Sequence, residues 1–348
     1  MSKIVFSGGG TLGPVIPLLA IAEIYKLHNK EVQFVWVGTK NGPEKEIVEQ
    51  YGIPFFTMTA GKWRRYFSWW NFFDIFKVIA AFFKSIIFIW QEKPDLLISG
   101  GGFVSVPLHW AGWVMGVPTW IHQQDVEPGL ANRLMARIAS KITTALRVGV
   151  DKFNTNKTEW IGNPSRDLSG ANLIEARAKF NIPENSPVIF ALGGGTGSAR
   201  LNEMVLEALP AWPRDWHVIH LVGKERPSEL QMRAVEVFSN YHVFKFFTSE
   251  MRDAYGLADV VVARAGFSTI TELASLSKAA ILLPMADTHQ EKNVQMLAEN
   301  NAVIAMNEKI DNGFRLAQFV KELILDPEKR YYLGKRLNEV LPRARPEK

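Results

Sequence analysis

The chain contains no cysteine. Disulfides, thiolate metal sites and cysteine nucleophiles are therefore excluded, and a reducing compartment suits it. It has no uninterrupted apolar run of about 18 residues, so no transmembrane helix is expected. It opens directly on an apolar strand, Lys3 to Phe6, and no secretory leader is expected. The Asp-x-Asp pattern on which many metal-dependent sugar transferases are built occurs nowhere in it. A formal net charge of +5 is modest. It could serve an anionic membrane surface, nucleotide phosphates or nucleic acid.

What is present is a repeated unit of buried strand, glycine turn and helix. Its clearest copy is Ala258 to Glu272. Val260 to Val262 read as a strand buried on both faces, Arg264-Ala-Gly266 as a tight turn, and Ser268, Thr269 and Glu272 as the start of a helix. Such a unit presents backbone N–H groups and a positive dipole end at the carboxyl edge of a sheet. Glu272 lies one turn into the helix, where a carboxylate can accept from a ribose diol or cap its own helix. Further strands are expected at Val32 to Val37, Asp95 to Ile98, Pro118 to Ile121, Val188 to Leu192, Val218 to Leu221, Val243 to Phe246 and Ala280 to Leu283.

Gly8, Gly10 and Gly13 match the dinucleotide pattern G-x-G-x-x-G between a strand and a helix. A dehydrogenase also needs an acidic residue after the next strand, and here that strand runs into Gly38-Thr-Lys40. NAD binding is therefore not expected, and no other cofactor is implied. Residues Trp63 to Trp90 form an aromatic block with Lys62, Arg64, Arg65, Lys77 and Lys84 in or beside it. A helix in a bilayer interface needs this composition, and Trp69, Trp70, Phe72, Phe73 and Phe76 are its candidate membrane contacts. A helix covering the sheet would account for part of the same block. His122 and Asp125, in His122-Gln-Gln-Asp125, end a strand and are candidate catalytic groups.

The repeats predict an α/β protein of two doubly wound, Rossmann-like parallel-sheet domains facing across a cleft. We assign 1–163 to a first domain, 164–330 to a second, and 331–348 to a C-terminal helix packing back on the first.

Taken together, these motifs resemble the MurG-type family of membrane-associated N-acetylglucosaminyltransferases, which have the GT-B fold. The resemblance is carried by Gly8-Gly-Gly-Thr-Leu-Gly-Pro-Val-Ile-Pro17, Gly100-Gly-Gly-Phe-Val-Ser105, His122-Gln-Gln-Asp125 and Gly162-Asn-Pro-Ser-Arg166 in the first half. Gly193-Gly-Gly-Thr-Gly197, Arg264-Ala-Gly-Phe-Ser-Thr-Ile-Thr-Glu272 and His289-Gln-Glu-Lys-Asn293 carry it in the second. It implies inverting transfer of GlcNAc from UDP-GlcNAc to the C4 hydroxyl of lipid I, giving lipid II. It implies a peripheral enzyme on the cytoplasmic face of the bacterial plasma membrane, in contact with its anionic surface, with no metal and no nucleic-acid partner.

Residue by residue, the resemblance assigns Glu272 to the ribose, and Arg166 with the Gly193–Gly197 turn to the diphosphate. Thr248, Phe267, Ser268, Thr269, Ile270 and Thr271 line the uridine and phosphate pocket, and Gln290 and Glu291 meet the sugar hydroxyls. Thr11, Leu12, Gly13, Asp125, Gly195 and Thr196 complete the donor set. Three motifs depart from the family. Leu12 and Pro14 replace a glycine and the histidine of the first loop, the usual His-Glu-Gln-Asn is His122-Gln-Gln-Asp125, and Gly195 replaces a serine. The first two leave the acceptor side open, so a transferase acting on another lipid-linked acceptor and a non-catalytic nucleotide-sugar or lipid-carrier binder remain alternatives.

Overall fold

The computed structural model describes residues 2–10, 13–42, 44–61, 70–224, 226, 229–247 and 249–344, with the backbone alone for 70–75, 230 and 237. The chain divides into two compact units, Met1–Arg166 with Ala344–Lys348, and Asp167–Arg343.

The first unit holds a seven-stranded sheet in the order β3-β2-β1-β4-β5-β6-β7, with every pairing parallel. Its strands are β1 (Lys3–Ser7), β2 (Gln33–Gly38), β3 (Phe55–Thr57), β4 (Leu96–Ser99), β5 (Thr119–Gln123), β6 (Lys141–Thr144) and β7 (Thr158–Trp160). In β1, Val5 stands between Val35 and Leu97. Helices cover both faces, so alternate residues of one strand enter different cores. Ile4 and Phe6 pack with Leu18 and Trp36, whereas Val5 packs with Val37, Leu97 and Leu108. This double burial is why the strands read as continuous apolar runs.

The second unit repeats the scheme with six strands in the order β10-β9-β8-β11-β12-β13. These are β8 (Val188–Leu192), β9 (His217–Leu221), β10 (Tyr241–Phe244), β11 (Val260–Arg264), β12 (Ala280–Leu283) and β13 (Ile304–Ala305). β10 begins two residues earlier than the apolar pattern predicts because Tyr241 is itself buried in the core. The helix Pro327–Val340 packs within this unit, where the Asn338 amide donates to the Ala274 carbonyl at 2.8 Å. A Cβ on its Gly334 would lie 1.9 Å from the Ser277 carbonyl oxygen, so the two backbones touch there. Beyond it, the Ala344 N–H donates to the Asn163 carbonyl at 3.1 Å, returning the chain to the first unit.

The helix Trp70–Glu92 has two unlike faces. Ala81, Ser85 and Ile89 are buried against the first unit's sheet, which is the covering role foreseen for part of the aromatic block. Phe76, Ile79, Phe83, Ile87 and Trp90 form an exposed stripe, with Phe76 58% and Trp90 68% accessible. Trp69 lies outside the described residues, as do the side chains of Trp70, Phe72 and Phe73. Among the described residues no helix is long and apolar enough to cross a membrane.

Candidate active site

In an open parallel sheet the ligand crevice forms where strand order reverses, beyond the carboxyl ends of the two strands that flank the reversal. In the first unit those strands are β1 and β4. Each ends in glycines, and the two loops meet backbone to backbone. A Cβ on Gly102 would lie 3.1 Å from the Gly9 carbonyl oxygen, and one on Gly100 2.5 Å from that of Pro14. Beneath them Ser7 Oγ and His109 Nε2 are 3.1 Å apart and fully buried. Burial holds His109 neutral, with its pKa pushed down to about 3.

One residue that governs this loop escaped the sequence reading. Glu44 is fully buried, and its carboxylate accepts from the Thr39 N–H at 2.7 Å, the Thr39 hydroxyl and the Gly10 N–H at 3.3 Å. The carboxylate sought directly after β2 is supplied six residues beyond it and is occupied by the protein's own backbone. Its only sequence signal is an acid at the start of the helix Glu44–Gln50.

At the end of neighbouring β5, His122 is fully buried and both ring nitrogens are engaged. Nδ1 lies 2.9 Å from Thr143 Oγ1 and Nε2 lies 2.7 Å from Asn163 Oδ1. Burial lowers its pKa to about 4, against a smaller opposing effect of the Asn163 bond. Its ring is therefore turned into the first unit, not to an open face. A ring with both nitrogens bound inside the sheet orders β5 against β6 and has no nitrogen left for an acceptor. Gln123 spans Asn132 (2.7 Å) and the Asp125 carbonyl (2.8 Å), and the Gln124 amide donates to the Gly13 carbonyl at 3.1 Å. Asp125 follows, half-buried, at the carboxyl edge. Gly13 and Arg166 are half-buried, and Thr11 and Leu12 lie outside the described residues.

In the second unit the reversal falls between β8 and β11. β8 runs into Gly193–Gly197, and Ser198 caps the next helix by accepting from the Leu201 N–H at 3.2 Å. Gly197 has φ +81°, and a Cβ there would lie 2.1 Å from the Val222 carbonyl oxygen. Only glycine fits so close to another backbone in that conformation. Around this loop Lys224 donates its N–H to the Gly195 carbonyl at 3.2 Å and holds its ammonium 4.5 Å from the centre of the Phe246 ring. Arg226 Nε lies 3.4 Å from the Gly197 carbonyl oxygen. Neither cation was singled out in the sequence, where Gly223-Lys224 after a strand is the available signal.

β11 leads into the helix Phe267–Ser275, whose cap is Gly266. Ser268 and Thr269 are half-exposed at its first turn, and Ser268 Oγ is buried with no hydrogen-bond partner among the described residues. Glu272 is 5% exposed and accepts from the Tyr255 hydroxyl at 3.0 Å. Phe267, Ile270 and Thr271 are buried, and the Thr271 hydroxyl is spent on the Phe267 carbonyl at 2.8 Å. Gln290 and Glu291 fold onto the turn after β12, accepting from the N–H groups of Met285 (3.0 Å) and Asp287 (3.1 Å). Gly195 is half-buried and Thr196 exposed, while Thr248 lies outside the described residues. The helices Ala199–Ala208 and Phe267–Ser275 thus both begin at the strand-order reversal, directing dipole ends and amides at one crevice suited to an anion.

Each half of the chain matches a known family. The glycosyltransferase family 28 N-terminal domain matches residues 4–144, and the C-terminal domain of the same family matches 188–340. A Bacillus cereus protein named UDP-N-acetylglucosamine--N-acetylmuramyl-(pentapeptide) pyrophosphoryl-undecaprenol N-acetylglucosamine transferase 2 is 33% identical over 335 residues, covering 94% of this chain and 93% of its own. A Clostridium perfringens transferase of the same name is 33% identical over 332 residues, covering 94% and 91%. The crystal structure of Acinetobacter baumannii MurG superposes with a TM-score of 0.76 at 24% identity, over 97% of this chain and 95% of that one. It is a likeness of fold.

Proposed function

The chain belongs to glycosyltransferase family 28, among the N-acetylglucosaminyltransferases of peptidoglycan synthesis, and from that membership we propose that it transfers GlcNAc from UDP-GlcNAc to lipid I with inversion, giving lipid II and UDP. The observation that carries this reading is identity of 33% over 94% of the chain to a transferase so named, spanning both halves at once.

The second unit takes the donor. Glu272 accepts from the ribose hydroxyls, and its burial at 5% exposure with Tyr255 beside it supports a fixed carboxylate at the floor of a pocket. The unpaired Ser268 Oγ and the first turn of its helix face the uridine and phosphates, with Phe267 and Thr269. Thr11, Leu12, Gly13 and Thr248 stay in the donor set on the family resemblance alone. Gly193–Gly197 holds the diphosphate, as backbone amides suit the charge that grows as UDP departs, and Arg166 is assigned to the same group on the family resemblance alone. Gln290 and Glu291 meet the sugar hydroxyls.

In the reaction, the C4 oxygen of the acceptor attacks C1 of GlcNAc as the bond from C1 to the diphosphate oxygen breaks. The C4 proton passes to a general base, and the bonding pair leaves with UDP. Pro14 cannot be that base, and His122 has both nitrogens bound. Asp125, at the edge of the same strand, is the carboxylate we assign to the task.

Docking is peripheral. The stripe Phe76, Ile79, Phe83, Ile87 and Trp90, with Lys77 and Lys84 exposed beside it, supports an apolar face entering an anionic bilayer surface, where the lipid-linked acceptor resides. Release of UDP from UDP-GlcNAc tests the whole reading. Release only when lipid I is added is expected. Release with a different lipid-linked acceptor, or binding without release, would replace it.

A further inference from the structure

We propose that Arg264 and Glu308 form a positioning pair that sets the turn Met285–Asp287, and that through this turn the protein distinguishes the donor's sugar from the bare nucleotide. The inference rests on the donor site proposed above and adds two residues that the sequence did not mark for it.

Arg264, at the end of β11, has only 12% of its side chain accessible. Its guanidinium joins groups on three separate loops of the carboxyl edge. Nε donates to Ser198 Oγ at 2.7 Å, at the cap after the β8 glycine loop. Nη1 lies 3.3 Å from the Leu283 carbonyl and 3.0 Å from that of Pro284, where β12 ends. The same nitrogen is paired with the carboxylate of Glu308, which follows β13. Glu308 in turn accepts from the Ala286 N–H at 2.7 Å.

The turn so held is unusual in its own bonding. Three successive N–H groups, of Met285, Ala286 and Asp287, are each taken by a side chain: Gln290, Glu308 and Glu291. Asp287 sits at φ +58°, and its carboxylate is paired with Lys309 at 2.9 Å. Gln290 and Glu291 are the two residues assigned to the sugar hydroxyls. Each spends one oxygen on the turn and keeps its other polar atom for a ligand, so the orientation of the turn is the orientation of the sugar-binding groups. Glu308 holds the middle N–H, and Arg264 fixes Glu308 relative to the glycine loop. A buried ion pair contributes little net stability over apolar packing, so a positional role accounts better for charges at this point.

The test measures binding of UDP and of UDP-GlcNAc separately, by calorimetry, in the full chain and in Glu308→Gln and Arg264→Lys. Glu308→Gln keeps an acceptor for Ala286 and the side-chain volume while removing the charge that fixes Arg264. Both variants should lose UDP-GlcNAc affinity by about tenfold, the scale of one charge-assisted hydrogen bond, with UDP affinity within about twofold of wild type. Their preference for UDP-GlcNAc over its C4 epimer should narrow in initial-rate assays. Equal loss for UDP and UDP-GlcNAc, or no loss for either, overturns the proposal, since a purely structural pair moves both ligands together. Should Arg264→Lys not fold, Glu308→Gln decides alone. Wild-type protein that binds UDP but shows no added response to the sugar would overturn the donor assignment of Gln290 and Glu291 itself. Failure of that reading is thus seen in the wild type, and failure of this one only in the variants.

Discussion

Replacing Glu272 separates a ligand-binding carboxylate from a structural one. Its burial and its bond from Tyr255 mean that Glu272→Ala removes two things. Loss of the acceptor for the Tyr255 hydroxyl costs roughly 1.5–3 kcal/mol of stability, as for a hydrogen bond to a charged group. Loss of the ribose bonds raises the donor KM about 10- to 100-fold, on the order of 1.4–2.7 kcal/mol. Two further variants divide these effects. Glu272→Gln can still accept from Tyr255, so its melting temperature should stay close to wild type while the donor KM rises about tenfold. Tyr255→Phe keeps the edge-to-face contact with Phe190, at 5.1 Å between ring centres, and should lower stability with a smaller effect on KM. The assays are initial rates over a UDP-GlcNAc series and thermal unfolding of the same preparations. A 2′-deoxyribose donor sharpens the comparison, because Glu272→Ala should discriminate against it less than wild type does. An unchanged UDP-GlcNAc KM in Glu272→Ala would refute the ribose role and leave a carboxylate with a structural role alone.

The other expectations are shorter to state. Arg166→Ala should lower kcat as well as raise the donor KM, because the diphosphate gains charge in the transition state; a change in KM alone would assign Arg166 to uniform binding. Asp125→Asn keeps the shape and removes the base, so kcat should fall about 10²–10⁴-fold with donor KM nearly unchanged, and a drop below about threefold would dismiss Asp125. Serine at Phe76, Phe83 and Trp90, all exposed, should weaken sedimentation with anionic vesicles while leaving UDP binding intact; vesicle binding equal to wild type would count against this face. Acid should destabilise the first unit through His109 and His122, whose burial lowers their pKa values to about 3 and about 4. The unfolded chain takes up protons below about pH 6.5 while the folded one does not, so stability is full above that pH and falls as pH drops. Each histidine should cost about 1 kcal/mol between pH 6.5 and 5.5, read as a lower denaturation midpoint; His109→Asn should make that slope shallower, and an unaltered slope would contradict it.

The sequence made the fold legible wherever a strand is an apolar run ending in glycine, as at Val188 to Leu192 or Val260 to Val262, because helices on both faces leave no alternation to decipher. It was less legible at β6 and β7, where Lys141-Ile-Thr-Thr144 and Thr158-Glu-Trp160 are short and mixed in polarity. The places of Glu272 and the Gly193–Gly197 loop were legible for a related reason: both lie within a few residues of their strand ends, where local spacing fixes position. The contacts that escaped act at a distance in sequence. Arg264 reaches Ser198 and Glu308, and neither bond can be anticipated from spacing, since each depends on how strands β8, β12 and β13 are ordered. His122 lies deeper than its place in the sequence suggests, for the complementary reason. A polar residue at a strand end suggests an open face, yet in a sheet covered on both sides the last residues of an inner strand are still inside. Glu44 joins both lessons. The G-x-G-x-x-G pattern of Gly8, Gly10 and Gly13 is physically sound as a device for close approach, but what approaches is the protein itself: Glu44 on Gly10, and the second glycine loop on Gly9 and Pro14. The Glu44 carboxylate already accepts from Thr39 and from Gly10 of the first glycine loop, so it is not open to a ribose, while in the second unit a glycine loop meets a helix start and a set of cations.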